Sequence, residues 1–179
     1  MTATRWVLLS SRVPREPTRL RLTTWRRLRR LGALLLHDAV WVLPAEERTR
    51  EAFEWLADEI VEQGGTALLW EAESLAPPQD KELIARFRSE ADERYRALAA
   101  AAGEAVRQAS RQSLKGNAPL TQPLRRLRVL ERTLRLERRR DWFRAPAWSE
   151  AEAAIRNSIQ RLEALRDRSP KGAGDALDH

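Results

Sequence analysis

The sequence predicts an α+β fold: a ferredoxin-like split βαβ domain of order β-α-β-β-α-β, followed by an all-helical region. Three observations predict it. Short β-prone apolar runs alternate with amphipathic helical stretches in that order. The tripeptide Ala76-Pro77-Pro78 interrupts the alternation. Beyond it the apolar spacing is helical throughout. The expected organisation is an α+β domain over 1–75, an arginine-rich helical region over 76–168 and a frayed tail over 169–179.

Each element has its own signal. Arg5–Ser10 (RWVLLS) is short, apolar and bounded by Ser-Arg-Val-Pro, as expected of a buried strand. Pro17 and Thr18 open a helix through TRLRLTTWRRLRRL, and Gly32 stops it. Its spacing assigns Leu20, Trp25, Leu28 and Leu31 to an inward face and Arg19, Arg26 and Arg30 to the outer one. Ala33–Leu36 and Ala39–Leu43 are too short for helices and flank His37-Asp38, a tight hairpin turn. After Pro44, Glu46–Gln63 forms a second amphipathic helix with Phe53, Leu56 and Ile60 inward, closed by Gly64-Gly65. Thr66–Glu71 supplies the fourth strand, and the connection lengths fit two right-handed crossovers.

Three helices follow: Asp80–Gln112, Thr121–Arg140 and Ser149–Arg168, with Ser149 as N-cap. Gly116-Asn117-Ala118-Pro119 and Arg144-Ala145-Pro146 separate them. Trp6, Trp25, Trp41, Trp55 and Trp70 fall in core-forming elements, so packing is their expected role. Trp142 and Trp148 are expected to anchor the last helix.

Hydrophobic residues make up 42% of the 179 residues, enough for a core, and charged residues 33%. The net charge of +7 favours polyanionic partners. The absence of cysteine removes disulfides, thiolate metal sites, cysteine nucleophiles and thiol redox sensing. The apolar run near Met1 is too short for a signal peptide, and no stretch approaches the roughly 18 apolar residues of a membrane span. A cytoplasmic protein is expected.

The charge is uneven. Residues 1–78 balance 11 basic against 11 acidic residues, whereas 107–144 hold 12 basic against 3 acidic. Within that stretch Arg125, Arg128, Arg132, Arg135 and Arg139 fall on one helical stripe, opposite Leu127, Leu130 and Leu134. Guanidinium forks grip phosphate bidentately, so this stripe is a candidate DNA contact. A solvated face paired with acidic helices is the other reading of the same pattern. Arg26 and Arg30 lead a second basic set, within a stretch free of acids between Glu16 and Asp38.

Catalytic signals are sparse. His37 and His179 are the only histidines, and no Gly-rich phosphate loop occurs. A metal-dependent nuclease needs clustered carboxylates, for which Asp38, Glu71 and Glu73 are conceivable but unremarkable. A non-enzyme without cofactor or metal is expected.

The runs RWVLLSSRVP, TRLRLTTWRRLRRLGALLLHDAVWVLP and AFEWLADEIVEQGGTALLWEAES resemble the N-terminal domain of ChrB chromate-resistance proteins, best over 5–73. Asp141-Trp142-Phe143 is similar to the family's later D-F-F segment, and Ala39 stands where its hairpin has glycine. That domain is related in look to the central domain of PaaX-type repressors. The resemblance implies transcription regulation in chromate resistance and binding to promoter DNA. Chromate or sulfate would then dock among the arginines as small dianions. The alternative from another class is an interaction module whose basic helix docks an acidic protein or a second copy of the chain.

Overall fold

The computed structural model describes residues 4–14, 18–114 and 120–168. In chain order these form β1 (Arg5–Arg12), α1 (Thr18–Leu31), β2 (Leu34–His37), β3 (Val40–Pro44), α2 (Glu47–Glu62), β4 (Thr66–Glu73), α3 (Pro77–Leu114), α4 (Thr121–Arg139) and α5 (Ala147–Arg168). The strands make one sheet of order β2-β3-β1-β4 in which every neighbouring pair is antiparallel. The chain divides into two compact units. One holds residues 1–89 together with Arg140–Arg144, and the other holds 90–139 with 145–179. The first unit thus runs past the boundary expected at residue 75. The tail over 169–179, the Gly116–Pro119 break and Pro17 lie outside the described residues.

In the first unit, period-two alternation sends the two faces of β1 to different neighbours. Val7 and Leu9 share a core with Leu28 of α1 and Phe53, Leu56 and Ile60 of α2. Trp6, on the opposite face, stacks on Phe87 of α3, with ring centroids 5.9 Å apart. The expected inward face of α1 needs a correction. Leu20, Thr24 and Leu28 are buried, whereas Trp25 is 51% exposed. A residue adjacent to Thr24 is turned by 100°, so the buried stripe passes through Thr24 and leaves the indole on the flank. Trp55 and Trp70 are likewise exposed, at 71% and 60%; of the five tryptophans assigned to the core, Trp6 and Trp41 are buried. β4 is an edge strand, and Trp70 projects from it opposite half-buried Leu8.

The hairpin turns at Asp38, whose φ of 48° is a left-handed value that aspartate tolerates better than most residues. α2 starts where the Glu46 N–H donates to the Thr49 hydroxyl at 2.9 Å. Pro77 and Pro78 open α3 rather than precede it. Proline suits the first helical turn, where its missing N–H would have no partner inside the helix.

Asp80, in the first turn of α3, accepts from the Trp6 indole Nε1 at 2.8 Å, from the Thr4 N–H at 3.3 Å and from the Ser74 hydroxyl. These donors hold its carboxyl below its ordinary value of 3.8, the Ser74 hydrogen bond foremost and the Trp6 bond next.

The segment Arg140–Arg144 closes the first unit. Helix α1 ends with carbonyls that lack intrahelical partners. Arg140 donates to the Arg29 carbonyl at 2.7 Å, and the Trp142 indole donates to the Leu31 carbonyl at 3.1 Å. Phe143 lies 5.8 Å from Trp6 and 5.3 Å from Phe87. The Phe143 carbonyl accepts from Arg88, and the Arg48 guanidinium sits over the Trp142 ring. Gly32 serves here twice. Its φ is +73°, and a Cβ there would stand 2.6 Å from the Arg140 carbonyl oxygen.

The second unit is helical. Tyr95, Val106 and four alanines of α3 pack with Leu127 and Leu134 of α4 and with Ile155, Ile159 and Leu162 of α5. Helix α5 begins at Ala147, ahead of the expected Ser149, because its cap comes from another helix. The buried Asp92 carboxylate accepts the Ala147 N–H at 2.8 Å. Trp148 packs against this helical core.

Two outcomes follow from the first unit. Trp6→Ala is expected to cost about 3–5 kcal/mol, as for a large-to-small core change. Trp25→Ala should stay within about 1 kcal/mol; denaturant titration of both variants checks this. Asp80, with its folded pKa below the unfolded one, contributes stability that is present above pH 3.8 and lost as pH falls through the lower folded value. Asp80→Asn should flatten that acid limb in melts recorded down from pH 5.

Candidate nucleic-acid interface

A phosphate-binding surface needs exposed guanidinium groups on a rigid frame, with their charge not already neutralised by neighbouring carboxylates. Helix α4 meets the first requirement. Leu127 and Leu134 are buried beneath it and Leu130 is half-buried, while Arg125, Arg128, Arg132, Arg135 and Arg139 are all exposed. The predicted opposition of arginine and leucine stripes is present.

The second requirement divides the stripe. Arg128 reaches Glu163 of α5 at 2.9 Å and Glu131 at 3.4 Å, and Arg135 reaches Glu131 at 3.1 Å. These two arginines lie along a groove of about 550 Å³ between α4 and α5, in which Arg138 covers the Trp148 ring. Arg125 and Arg132 have no carboxylate partner among the described residues; Arg132 donates only to the Arg128 carbonyl. Arg139 has an interaction of its own within the structure. Val129 and Leu136 are exposed beside the stripe.

Arg26 and Arg30 are exposed on α1, on the side away from Leu20, Thr24 and Leu28. Neighbouring Arg27 is paired with Glu59, and the Arg29 carbonyl is bound by Arg140. Arg26 and Arg30 belong to the first unit and the α4 stripe to the second.

Pairing of this face with acidic groups was one of the two readings of the sequence, without Glu163 being named as the partner. Glu163 faces Arg128 only because α4 and α5 are antiparallel neighbours, and the i,i+3 and i,i+4 placement of Glu131 against Arg128 and Arg135 was the one readable sign. Sequence reasoning missed Arg94 of α3, bound to the largely buried Glu137 at 2.9 Å. Glu71, weighed as a metal ligand, is instead held by Arg50 at 2.8 Å and by Arg5 at 3.2 Å. The Arg50 hydrogen bond above all keeps its carboxyl below the usual range. Among the described residues no group of three or more His, Cys, Asp or Glu could hold a metal ion, and no helix is long and apolar enough to cross a membrane.

A family model described as protein ChrB, N-terminal, matches residues 21–172. The chain belongs to this family. The match begins inside α1 and runs through α5, so the helical region is part of the family domain and not an appendage to it. No curated protein and no solved structure matches.

The two ion pairs differ in burial, and their energies should differ accordingly. Arg128 and Glu163 are 49% and 37% exposed, so a double-mutant cycle on them is expected to give under about 1 kcal/mol. Arg94 and Glu137 are 23% and 11% exposed. Arg94→Ala strips a partner from a part-buried carboxylate and should cost about 1–3 kcal/mol in the same denaturation assay.

Proposed function

We propose, taking membership of the ChrB N-terminal family as the premise, that this protein is a non-enzymatic, cytoplasmic regulator in chromate resistance that holds promoter DNA through α4. The family suggests a chromate-resistance-related regulatory protein. The observation that carries the DNA reading is the exposed, carboxylate-free pair Arg125 and Arg132, backed by buried Leu127 and Leu134. The surrounding stretch, 107–144, holds 12 basic against 3 acidic residues. The five stripe residues and the α1 pair Arg26 and Arg30 remain the proposed contacts, with Arg125 and Arg132 foremost. The sheet order β2-β3-β1-β4, antiparallel throughout, supports reading the first unit as a ferredoxin-like split βαβ domain. Chromate or sulfate would compete for the same guanidinium groups as small dianions, and a chain without cysteine leaves electrostatic recognition as its means of sensing them.

A second reading rests on Val129 and Leu136, which are 49% and 60% exposed beside the arginines. An apolar strip interleaved with cations suits an acidic protein surface, or a second copy of the chain, better than a phosphate backbone.

Replacing Arg125 and Arg132 together by glutamine separates the readings. A phosphate-tracking α4 loses affinity for promoter and random DNA alike, and its salt slope flattens by about 1.8 as two fewer counterions are released. An unchanged slope and unchanged affinity at low salt would overturn the DNA reading. Lost self-association in sedimentation, with DNA binding intact, would select the second one.

A further inference from the structure

The first unit contains a cleft of about 1000 Å³, bordered by α1, the end of β1, the β2–β3 hairpin and the α2–β4 loop. Small-molecule sites run to about this volume. Its lining combines three features that the fold does not require. Trp25, Leu22 and Leu35 present apolar surface to it while 51%, 44% and 36% exposed. The buried stripe of α1 runs through Leu20, Thr24 and Leu28, so neither Leu22 nor Trp25 is needed to hold the helix down.

The second feature is cationic. Arg12, at the end of β1, and Arg21, on α1, both line the cleft, are exposed, and have no carboxylate partner among the described residues. Asp38 at the hairpin tip also lines it, leaving one net positive charge among these three groups. The third feature is a pair of hydroxyls. Ser11 and Thr24 are at least nine-tenths buried and line the cleft, yet neither side chain has a hydrogen-bond partner among the described residues. A hydroxyl in a cleft lining can donate to a ligand's acceptor.

We infer that this cleft binds a small organic monoanion with a flat apolar body, its ring against Trp25 and Leu22 and its acidic group held by Arg21 and Arg12. Ser11 and Thr24 donate hydrogen bonds to its acceptors. A bare inorganic dianion suits the cleft poorly. It would shed water against exposed apolar side chains without covering them, whereas an aromatic body removes that apolar surface from water. The cationic rim then selects a carboxylate over a neutral analogue.

Calorimetric titration with 2-naphthoate, 2-naphthamide and sulfate at fixed ionic strength tests this on the full chain. Naphthoate is expected to saturate at one site per chain, with the amide and sulfate each weaker by about tenfold or more. Arg21→Gln and Trp25→Ala should each weaken naphthoate by about tenfold. Thr24→Val, which keeps the side-chain shape, should weaken it by a smaller factor. Arg21 and Trp25 are exposed, so melting curves should match wild type. Sulfate binding as well as naphthoate would overturn the proposal in favour of an inorganic anion site. Equal binding of the amide would remove the charge recognition, and naphthoate binding unmoved by both variants would place it elsewhere. Absence of saturable binding by naphthoate would also end the proposal. The α4 arginines take no part in this site, so the outcome is independent of the DNA reading.

Discussion

The return of Arg140–Arg144 to the first unit is the constraint around which the chain is organised. Helix α1 is short, strongly basic and closed by a glycine, and its last carbonyls point away from its own hydrogen-bonding ladder. Gly32 and Ala33 close it locally, their N–H groups donating to the Arg29 and Leu28 carbonyls. Further donors, to the Arg29 and Leu31 carbonyls, come from Arg140 and Trp142, more than a hundred residues later in the chain. The same segment delivers Phe143 to the face of the sheet that Trp6 and Phe87 share. Five residues thus supply both the polar closure of a helix and part of an aromatic core. The backbone at Gly32 admits the approach because there is no side chain in the way.

The order and type of the elements were legible because each short segment carries its own period. Alternation marks β1, 3.6-residue spacing marks α2, and glycine or proline stands at each joint. Faces were less legible than elements. Trp25 and Thr24 are neighbours on α1, and a hydrophobicity argument selects the larger apolar residue, yet the helix is docked through the smaller one. Trp70 and Leu68 belong to an edge strand, where alternation persists although one face lacks cover. The capping of α5 by Asp92 and the bond from Arg140 to the end of α1 were illegible for a common reason. Each partner is distant in sequence, and no local spacing records it. The Asp141-Trp142-Phe143 motif could be noticed as a likeness, but its task could not be derived from its composition.

Charge shows the same distinction between what is written and what is available. A count over residues 107–144 treats every arginine alike, but in the folded unit Glu131 and Glu163 engage Arg128 and Arg135, while Arg125 and Arg132 have no carboxylate partner among the described residues. The candidate DNA surface is therefore narrower than the stripe that drew attention to it. Conversely, Arg12 and Arg21 are unremarkable in a basic sequence. They gain interest only because the fold sets them beside an exposed indole and two buried hydroxyls.

Protein synthesis runs from the N-terminus, which gives the late closing segment a temporal consequence. When residue 89 leaves the ribosome, all four strands and the first two helices of the first unit have been made, but Arg140, Trp142 and Phe143 have not. Residues 90–139 must be translated first. The nascent unit then has Phe87 to set against Trp6 but lacks Phe143 beside both rings, a condition that invites chaperone engagement or premature association on crowded polysomes. A chain truncated between residues 89 and 139 would be held in that waiting state permanently.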